Sequence, residues 1–343
     1  MIKRVLLITV GLAMVIVIIS MLTLIKIVRT APEVSETAPV PVLFTVNSGE
    51  PFSVIARRLS EEGLIKHRRA VSLYAWLRRY DRQVKAGTYN IARDESPRDI
   101  IKKLVMGDIH KVSVTIPEGF MIREIAGVLA AEFSTDSTSI TDLFVDPDLR
   151  TELNVPGPTL EGYLFPDTYL IPWGSSPREI VRMMVRRLEE VFDDELRKRA
   201  REIELSRHEV LTLASIVEAE TRLPKELPLV SAVYHNRLRR GMRLEADPTV
   251  AYGMGGYKGR LYYKDLEIDS PYNTYRYEGL PPGPICNPGE AAIRATLYPD
   301  TTCHAIYFVA EGNGGHIFSL TLEDHLSAIQ KVKRSRSAGQ DGN

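Results

Sequence analysis

The chain has 343 residues, and its 44 Lys plus Arg are balanced by 44 Asp plus Glu. A formal net charge of zero leaves no electrostatic footprint for nucleic acid, which excludes that class of partner. The length and a hydrophobic content of 44% suit two or three globular domains, not a disordered or fibrous chain.

From Val5 to Ile25 no residue is charged, and only Thr9, Gly11, Ser20 and Thr23 interrupt the apolar run. Twenty-one such residues are long enough to cross a bilayer core as one helix. Lys3 and Arg4 precede the run while Lys26 and Arg29 follow it, so flanking charge alone does not set the orientation. The expectation is an uncleaved transmembrane anchor over 5–25 with residues 1–4 cytoplasmic. The body would then stand outside the plasma (inner) membrane, on the periplasmic side. A cleaved signal peptide is the rival, but the run exceeds an ordinary h-region and no small-x-small site follows it. Residues 26–43 read as a linker, whose three prolines between Thr30 and Val42 favour a semi-extended spacer.

An internal echo follows. Thr45-Val46-x-x-Gly49 with Ile55-Ala56-x-x-Leu59 returns 70 residues later as Thr115-Ile116-x-x-Gly119 with Ile125-Ala126-x-x-Leu129. Each copy predicts a short strand, a glycine turn and a helix. Between them Ala70–Arg79 reads as a helix, Gly87–Ile91 as a strand, and Ser96–Met106 as a helix with Ser96 as cap and Pro97 in its first position. The first copy, residues 44–109, resembles a LysM module, a small βααβ unit that lies along N-acetylated glycan chains. The alternative is a structural domain that positions the remainder.

Residues 110–330 read as a second, mixed α+β domain, which makes the whole chain α+β. Ser176–Arg201 predicts one long charged helix, amphipathic through Ile180, Met183, Met184, Leu188 and Val191. Ser206 and Glu209 then have capping-box spacing and open another helix, Leu-Thr-Leu-Ala-Ser-Ile-Val-Glu-Ala-Glu over 211–220. Leu211, Ala214, Ser215 and Glu218 share one face of it. A carboxylate among Leu, Ala, Ile and Val is costly to bury charged, so desolvation should raise its pKa and leave a proton to donate. That prepares Glu218 as a general acid, with small Ala214 and Ser215 leaving room for a ligand. Glu220 projects about 200° away and reads as a surface or supporting group. The competing view puts both carboxylates on the wet edge of an ordinary helix. Leu227 to Arg239 forms a further helix, Ile306–Ala310 a strand, Gly312–Gly315 a hairpin, and Lys331–Asn343 a frayed tail.

Between the last helix and that strand, the chain is dense in Pro, Gly and hydrogen-bonding residues, which fix loop shapes. Asn236, Asn273, Tyr252 and Tyr275 offer amides, hydroxyls and stacking faces suited to an amide-bearing sugar, with Arg237 beside them; equally, the Asn could cap turns and the Tyr could pack. Asp247 and Glu161 are the candidates for a second carboxylate. No CxxC, HExxH or His cluster argues for a metal, and no cofactor motif is present. Cys286 and Cys303, the only cysteines, leave a disulfide open.

Leu-Ala-Ser-Ile-Val-Glu-Ala-Glu-Thr, His-Asn-Arg-Leu, Asp-Pro-Thr-Val-Ala-Tyr-Gly, Tyr-Asn-Thr-Tyr with Gly-Leu-Pro-Pro-Gly-Pro-Ile, and Gly-Gly-His-Ile-Phe-Ser occur in that order. Together they resemble the endolytic murein transglycosylases of the MltG (YceG-like) family over nearly the whole chain. Cys286 departs from that pattern, where a small residue is expected. The resemblance makes Glu218 the catalytic acid. It implies cleavage of the MurNAc–GlcNAc bond inside nascent glycan strands, with attack by the C6 hydroxyl of the same MurNAc and a 1,6-anhydro end. It also implies partners within the peptidoglycan synthases. The alternatives are a hydrolase of the same bond, which needs a second carboxylate at a defined distance, and a non-catalytic glycan-binding scaffold.

Overall fold

The computed structural model describes residues 2–32, 41–133, 136–256, 259, 261–312 and 314–340. The chain divides into two compact units, residues 1–113 with 170–175, and residues 114–169 with 176–343.

In the first unit, the uncharged run lies within one longer helix, α1 (Ile2–Arg29), with a mean hydropathy of 3.0 over its most apolar stretch. That is long and apolar enough to cross a membrane. Its last turns pack on the globular part, where Val28 joins the core and Leu24 lies against it. Residues 33–40 of the expected linker lie outside the described residues. The strand β1 (Val42–Val46) pairs antiparallel with β2 (Gly87–Ile91), with Phe44 opposite Tyr89. Alternation turns Phe44 and Val46 inward. They meet the apolar stripes of α2 (Phe52–Glu61), α3 (Arg68–Leu77) and α4 (Pro97–Met106). As its sequence predicts, α4 starts at Ser96, whose side chain accepts from the Asp99 N–H, with Pro97 in the first turn; it stops at Gly107 in the left-handed region.

The strands β3 (Lys111–Thr115) and β4 (Thr168–Pro172) pair with each other and carry the chain between units. Between them come α5 (Ile122–Phe133), α6 (Ser137–Val145) and α7 (Pro147–Glu152). After β4 follow α8 (Pro177–Val191), α9 (Asp194–Glu202), α10 (Arg207–Glu220), α11 (Leu227–Arg239), α12 (Asp247–Gly253) and α13 (Glu290–Leu297). A hairpin of β5 (Tyr307–Ala310) and β6 (His316–Ser319) and the helix α14 (Leu322–Gln340) complete the unit. Helices and small two-stranded sheets are thus mixed, as an α+β chain requires.

The structure departs from the sequence expectations at two helices. The long helix expected over 176–201 is broken: Phe192 leaves the helical region, and the Asp193 side chain caps a new helix by accepting from the Leu196 N–H at 3.0 Å. The tail expected to fray from Lys331 instead continues α14 to Gln340, with Val332 buried in it, while 341–343 lie outside the described residues.

The echo extends further in space than in sequence. Gly49 and Gly119 both have φ of 73°, outside the range that other residues adopt readily. Ile55, Ala56 and Leu59 in one copy and Ile125, Ala126 and Leu129 in the other are all buried. Thr45 bonds the Thr88 hydroxyl across β1–β2 at 2.9 Å, and Thr115 bonds Thr168 across β3–β4 at 2.9 Å. The second strand of each copy leads into a helix opened by Ser-Pro, at Ser96-Pro97 and Ser176-Pro177. The offset has grown from 70 to 80 residues by that strand, so the second copy carries ten more residues before it.

Candidate active site

The site is built around α10. Its capping box closes as the sequence predicts, with the Glu209 N–H donating to Ser206 Oγ at 3.2 Å and the Ser206 N–H to Glu209 Oε2 at 2.8 Å. Every residue from Val210 to Val217 is buried. The helix is therefore apolar all round, a core element and not a surface one. Its first turn, with Glu209, and its last turn emerge, and the last presents Glu218 and Glu220 in two directions.

Glu218 is half-buried, and its Oε2 accepts the Gly289 N–H at 3.1 Å. Burial pushes its carboxyl above the ordinary value of 4.5; the Gly289 bond opposes this and the charge of Glu118 adds to it. Glu118 itself is exposed, in the turn between β3 and α5. A Cβ on Gly289 would overlap the Glu118 carboxylate, and one on Gly119 would lie 3.7 Å from Glu218 Cγ. Two carboxyl groups thus meet at one glycine backbone. Sequence reasoning missed Glu118 as a site residue, although it lies inside the second copy of the echo, where the first copy has Ser48.

Ala214 and Ser215 do not leave room for a ligand: both are fully buried. Ser215 Oγ accepts the Ile285 N–H at 3.0 Å, and the Cys286 thiol donates to the Ser215 carbonyl at 3.3 Å. Their small size lets the 285–289 loop lie directly on α10 and deliver Gly289 to Glu218. His208 pins the same loop upstream, donating from Nε2 to the Pro282 carbonyl at 2.8 Å while Nδ1 accepts from Tyr163. Cys286 and Cys303 are both free thiols, and burial pushes that of Cys286 far up.

Behind Glu218 and Glu118 lies a buried polar joint. Asn287 donates from Nδ2 to the Phe120 carbonyl at 2.8 Å and to Glu161 Oε1 at 3.0 Å, and its Oδ1 accepts the Leu164 N–H at 2.9 Å. Its backbone carbonyl accepts the Gly119 N–H at 2.9 Å. One asparagine therefore ties the 117–121 turn, the 161–164 segment and the 285–289 loop together. Glu161, fully enclosed, also accepts the Ile122 N–H at 3.0 Å and shares a hydrogen bond with the Tyr252 hydroxyl. Burial pushes its carboxyl up to about 8, against the Ile122 bond. Tyr252 packs on Tyr272 with ring centroids 4.7 Å apart.

The remaining sequence candidates gather on the other side of α10. Glu220 lines a polar cavity of about 310 Å³ with Asp247, Tyr275, Arg237, His316 and His325. It accepts from the Tyr234 hydroxyl at 2.6 Å, and Asp247 accepts from Tyr275 at 2.7 Å. Burial pushes the Glu220 carboxyl up to about 7, against the Tyr234 bond and helped by Asp247. It is therefore no simple surface group. Arg237 is committed to the Ile306, Arg243 and Leu244 carbonyls and to Glu245. Asn236 holds the Cys303 and Ala305 carbonyls. Asn273 is fully buried and spends its amide on the Leu266 and Ile268 carbonyls and the Tyr275 N–H. Glu161 and Tyr252 thus share the neighbourhood of Glu218, Asp247 and Tyr275 share that of Glu220, and the Asn236, Arg237 and Asn273 side chains brace loops.

A family model described as "YceG-like family" matches residues 44–331. The endolytic murein transglycosylase of Bacillus subtilis (strain 168) is 34% identical over 326 residues, covering 89% of this chain and 88% of the relative. That of Streptococcus pneumoniae serotype 2 (strain D39) is 30% identical over 312 residues, covering 82% of this chain and 56% of the relative. A crystal structure at 2.6 Å of a YceG-like protein from Listeria monocytogenes superposes with a TM-score of 0.58 at 31% identity, covering 84% of this chain and 99% of that one. With the match running from the first strand into the last helix, and relatives aligned along most of its length, the chain belongs to the YceG-like family.

Proposed function

We propose that this chain is a membrane-anchored endolytic murein transglycosylase, and that Glu218 is its acid and then its base. The observation that carries the reading is the Glu218 carboxyl: half-buried next to the enclosed Val210–Val217 stretch of its helix, fixed by the Gly289 N–H, and held above its ordinary pKa. Relatives sharing about a third of the residues bear the same name. Protonated Glu218 donates to the glycosidic oxygen between MurNAc and GlcNAc. The carboxylate so formed takes the proton of the C6 hydroxyl of that MurNAc as its oxygen closes on C1. The bond to the leaving sugar breaks, and a 1,6-anhydro end remains with no water consumed. One carboxyl group suffices because the nucleophile belongs to the substrate.

Within this reading α1 anchors the protein in the inner membrane, and the 26–43 linker keeps the body near nascent strands on the periplasmic side. Residues 44–109 serve as a LysM-like glycan-binding module, and 110–330 as the catalytic domain working beside the synthases. Tyr252, Tyr275 and Asp247 are the sugar contacts among the sequence candidates.

A hydrolase of the same bond is the second reading, and Glu118 beside Glu218 is what favours it, since a second carboxylate can activate water. Mass spectrometry of muropeptides released in ¹⁸O-labelled water separates the two. Anhydro ends without label are expected, and Glu218→Gln should abolish them. Labelled reducing ends would overturn the transglycosylase reading, and undiminished cleavage by Glu218→Gln would overturn the role of Glu218.

A further inference from the structure

The helix α3 turns Val71 and Ala75 into the core of the first unit and leaves its other side bare. Leu73, Trp76 and Leu77, at helical spacings of three and four, are 48%, 64% and 56% exposed. Exposed apolar side chains gathered in this way mark a surface that meets something other than water. Leu73 and Leu77 form one wall of a groove of about 630 Å³ whose other wall includes Val17, Met21 and Leu24 of α1. Those three belong to the uncharged run Val5–Ile25.

Helix geometry places Met21 roughly 6 Å and Val17 roughly 12 Å inside the end of that run at Ile25. A bilayer core is about 30 Å thick, so both lie within a single leaflet when the run spans it. Side chains that share a groove with Val17 and Met21 then lie below the headgroups as well. The surrounding charge fits this position. Between Gly63 and Ala92, Lys66, Arg68, Arg69, Arg78, Arg79, Arg82 and Lys85 face a single acid, Asp81. Arg68, Arg69, Arg79 and Arg82 are exposed, and none of them has an ion-pair partner among the described residues. An indole flanked by arginines is the usual chemistry of a membrane–water boundary.

We propose that Leu73, Trp76 and Leu77 insert into the leaflet beside α1, with the neighbouring arginines on anionic lipid headgroups, so that the first unit is seated on the bilayer. This rests on reading α1 as a membrane span. The protein contains two tryptophans, so Trp173→Phe leaves Trp76 as the only indole in the full chain. Reconstituted into phosphatidylglycerol vesicles, that variant should show blue-shifted emission that brominated acyl chains largely quench. A second variant, Trp76→Phe, Trp173→Phe and Val15→Trp, reports on α1 itself. A quenched indole at 15 with a water-like, unquenched Trp76 overturns the proposal and leaves the anchor standing. Quenching at neither position overturns the anchor reading with it. Quenching of Trp76 that is no stronger in phosphatidylglycerol than in phosphatidylcholine overturns the role given to the arginines.

Discussion

Glu161 titrates in a way that stability measurements can read. Its ordinary value of 4.5 applies to the unfolded chain, while burial holds the folded carboxyl near 8. Between those limits the unfolded state has released the proton and the folded state keeps it. Stability is therefore fully present below about pH 4.5 and is lost as pH rises to about 8. The loss attributable to this one group is about 3 kcal/mol by pH 7 and about 4 kcal/mol by pH 8. Glu161→Gln imitates the protonated acid. Its oxygen still accepts from the Ile122 N–H and Asn287, and its amide can donate to the Tyr252 hydroxyl oxygen in place of the bond that the carboxyl shares with that hydroxyl. Urea unfolding of the full chain in nonionic detergent, from pH 5 to pH 8, should show the two proteins nearly equal at pH 5. The variant should then gain by several kcal/mol toward pH 8. Glu161→Ala should lose at every pH, because Ile122 and Asn287 donors are left unpaired at about 1–3 kcal/mol each. Parallel curves for wild type and Glu161→Gln would refute the reasoning.

Glu118→Gln removes the like charge facing Glu218, so the Glu218 carboxyl should titrate lower and the basic limb of the cleavage rate should move to lower pH; an unmoved limb would detach Glu118 from Glu218. Asn287→Ala unpairs the buried Leu164 N–H and removes a donor to Glu161, while the Phe120 carbonyl keeps the backbone N–H of residue 287; the change should cost about 2 kcal/mol in a urea titration, with cleavage falling as Gly289 loses its place. Glu220→Gln keeps an acceptor for the Tyr234 hydroxyl. It should retain most of the cleavage activity that Glu218→Gln abolishes; the reverse order would move the acid to the Glu220 cavity.

Local signals with short-range causes were legible in the sequence. Gly87–Ile91 and Leu227–Arg239 have the bounds that alternation and helical period predict, and the Ser96 and Ser206 caps form as their spacing requires. The missed break after Val191 is also local, since Asp193 is an ordinary cap hidden in a charged run. What could not be read depends on contacts far apart in the chain. Small residues at 214 and 215 signal close approach, but only the fold tells whether a ligand or a loop makes it. Asn273 and Asn236 looked like sugar ligands because their composition suits either use; burial decides for the backbone. Glu118 lies 100 residues before Glu218, and no period or spacing links them.

The paired modules show how such a site is assembled from a fold that does not itself require it. Both copies keep the same turn, with φ of 73° at Gly49 and Gly119, and the same threonine pair across their strands. The second copy differs where the site needs it. Its turn carries Glu118 in place of Ser48, and its ten additional residues fall in the stretch that leads to β4 and contains Glu161. The turn and the Glu161 segment are then tied to the 285–289 loop by Asn287, with Gly289 against Glu218. The strand and helix set the backbone, and the carboxyl groups are placed by whichever loop residues the module leaves free. Glu118 and Glu161 thus come from one module and Glu218 from α10, further along the chain. Their placement depends on packing that neither element forms alone, through Asn287 and Gly289, so variants in the turn and in the loop should fail additivity with variants at Glu218.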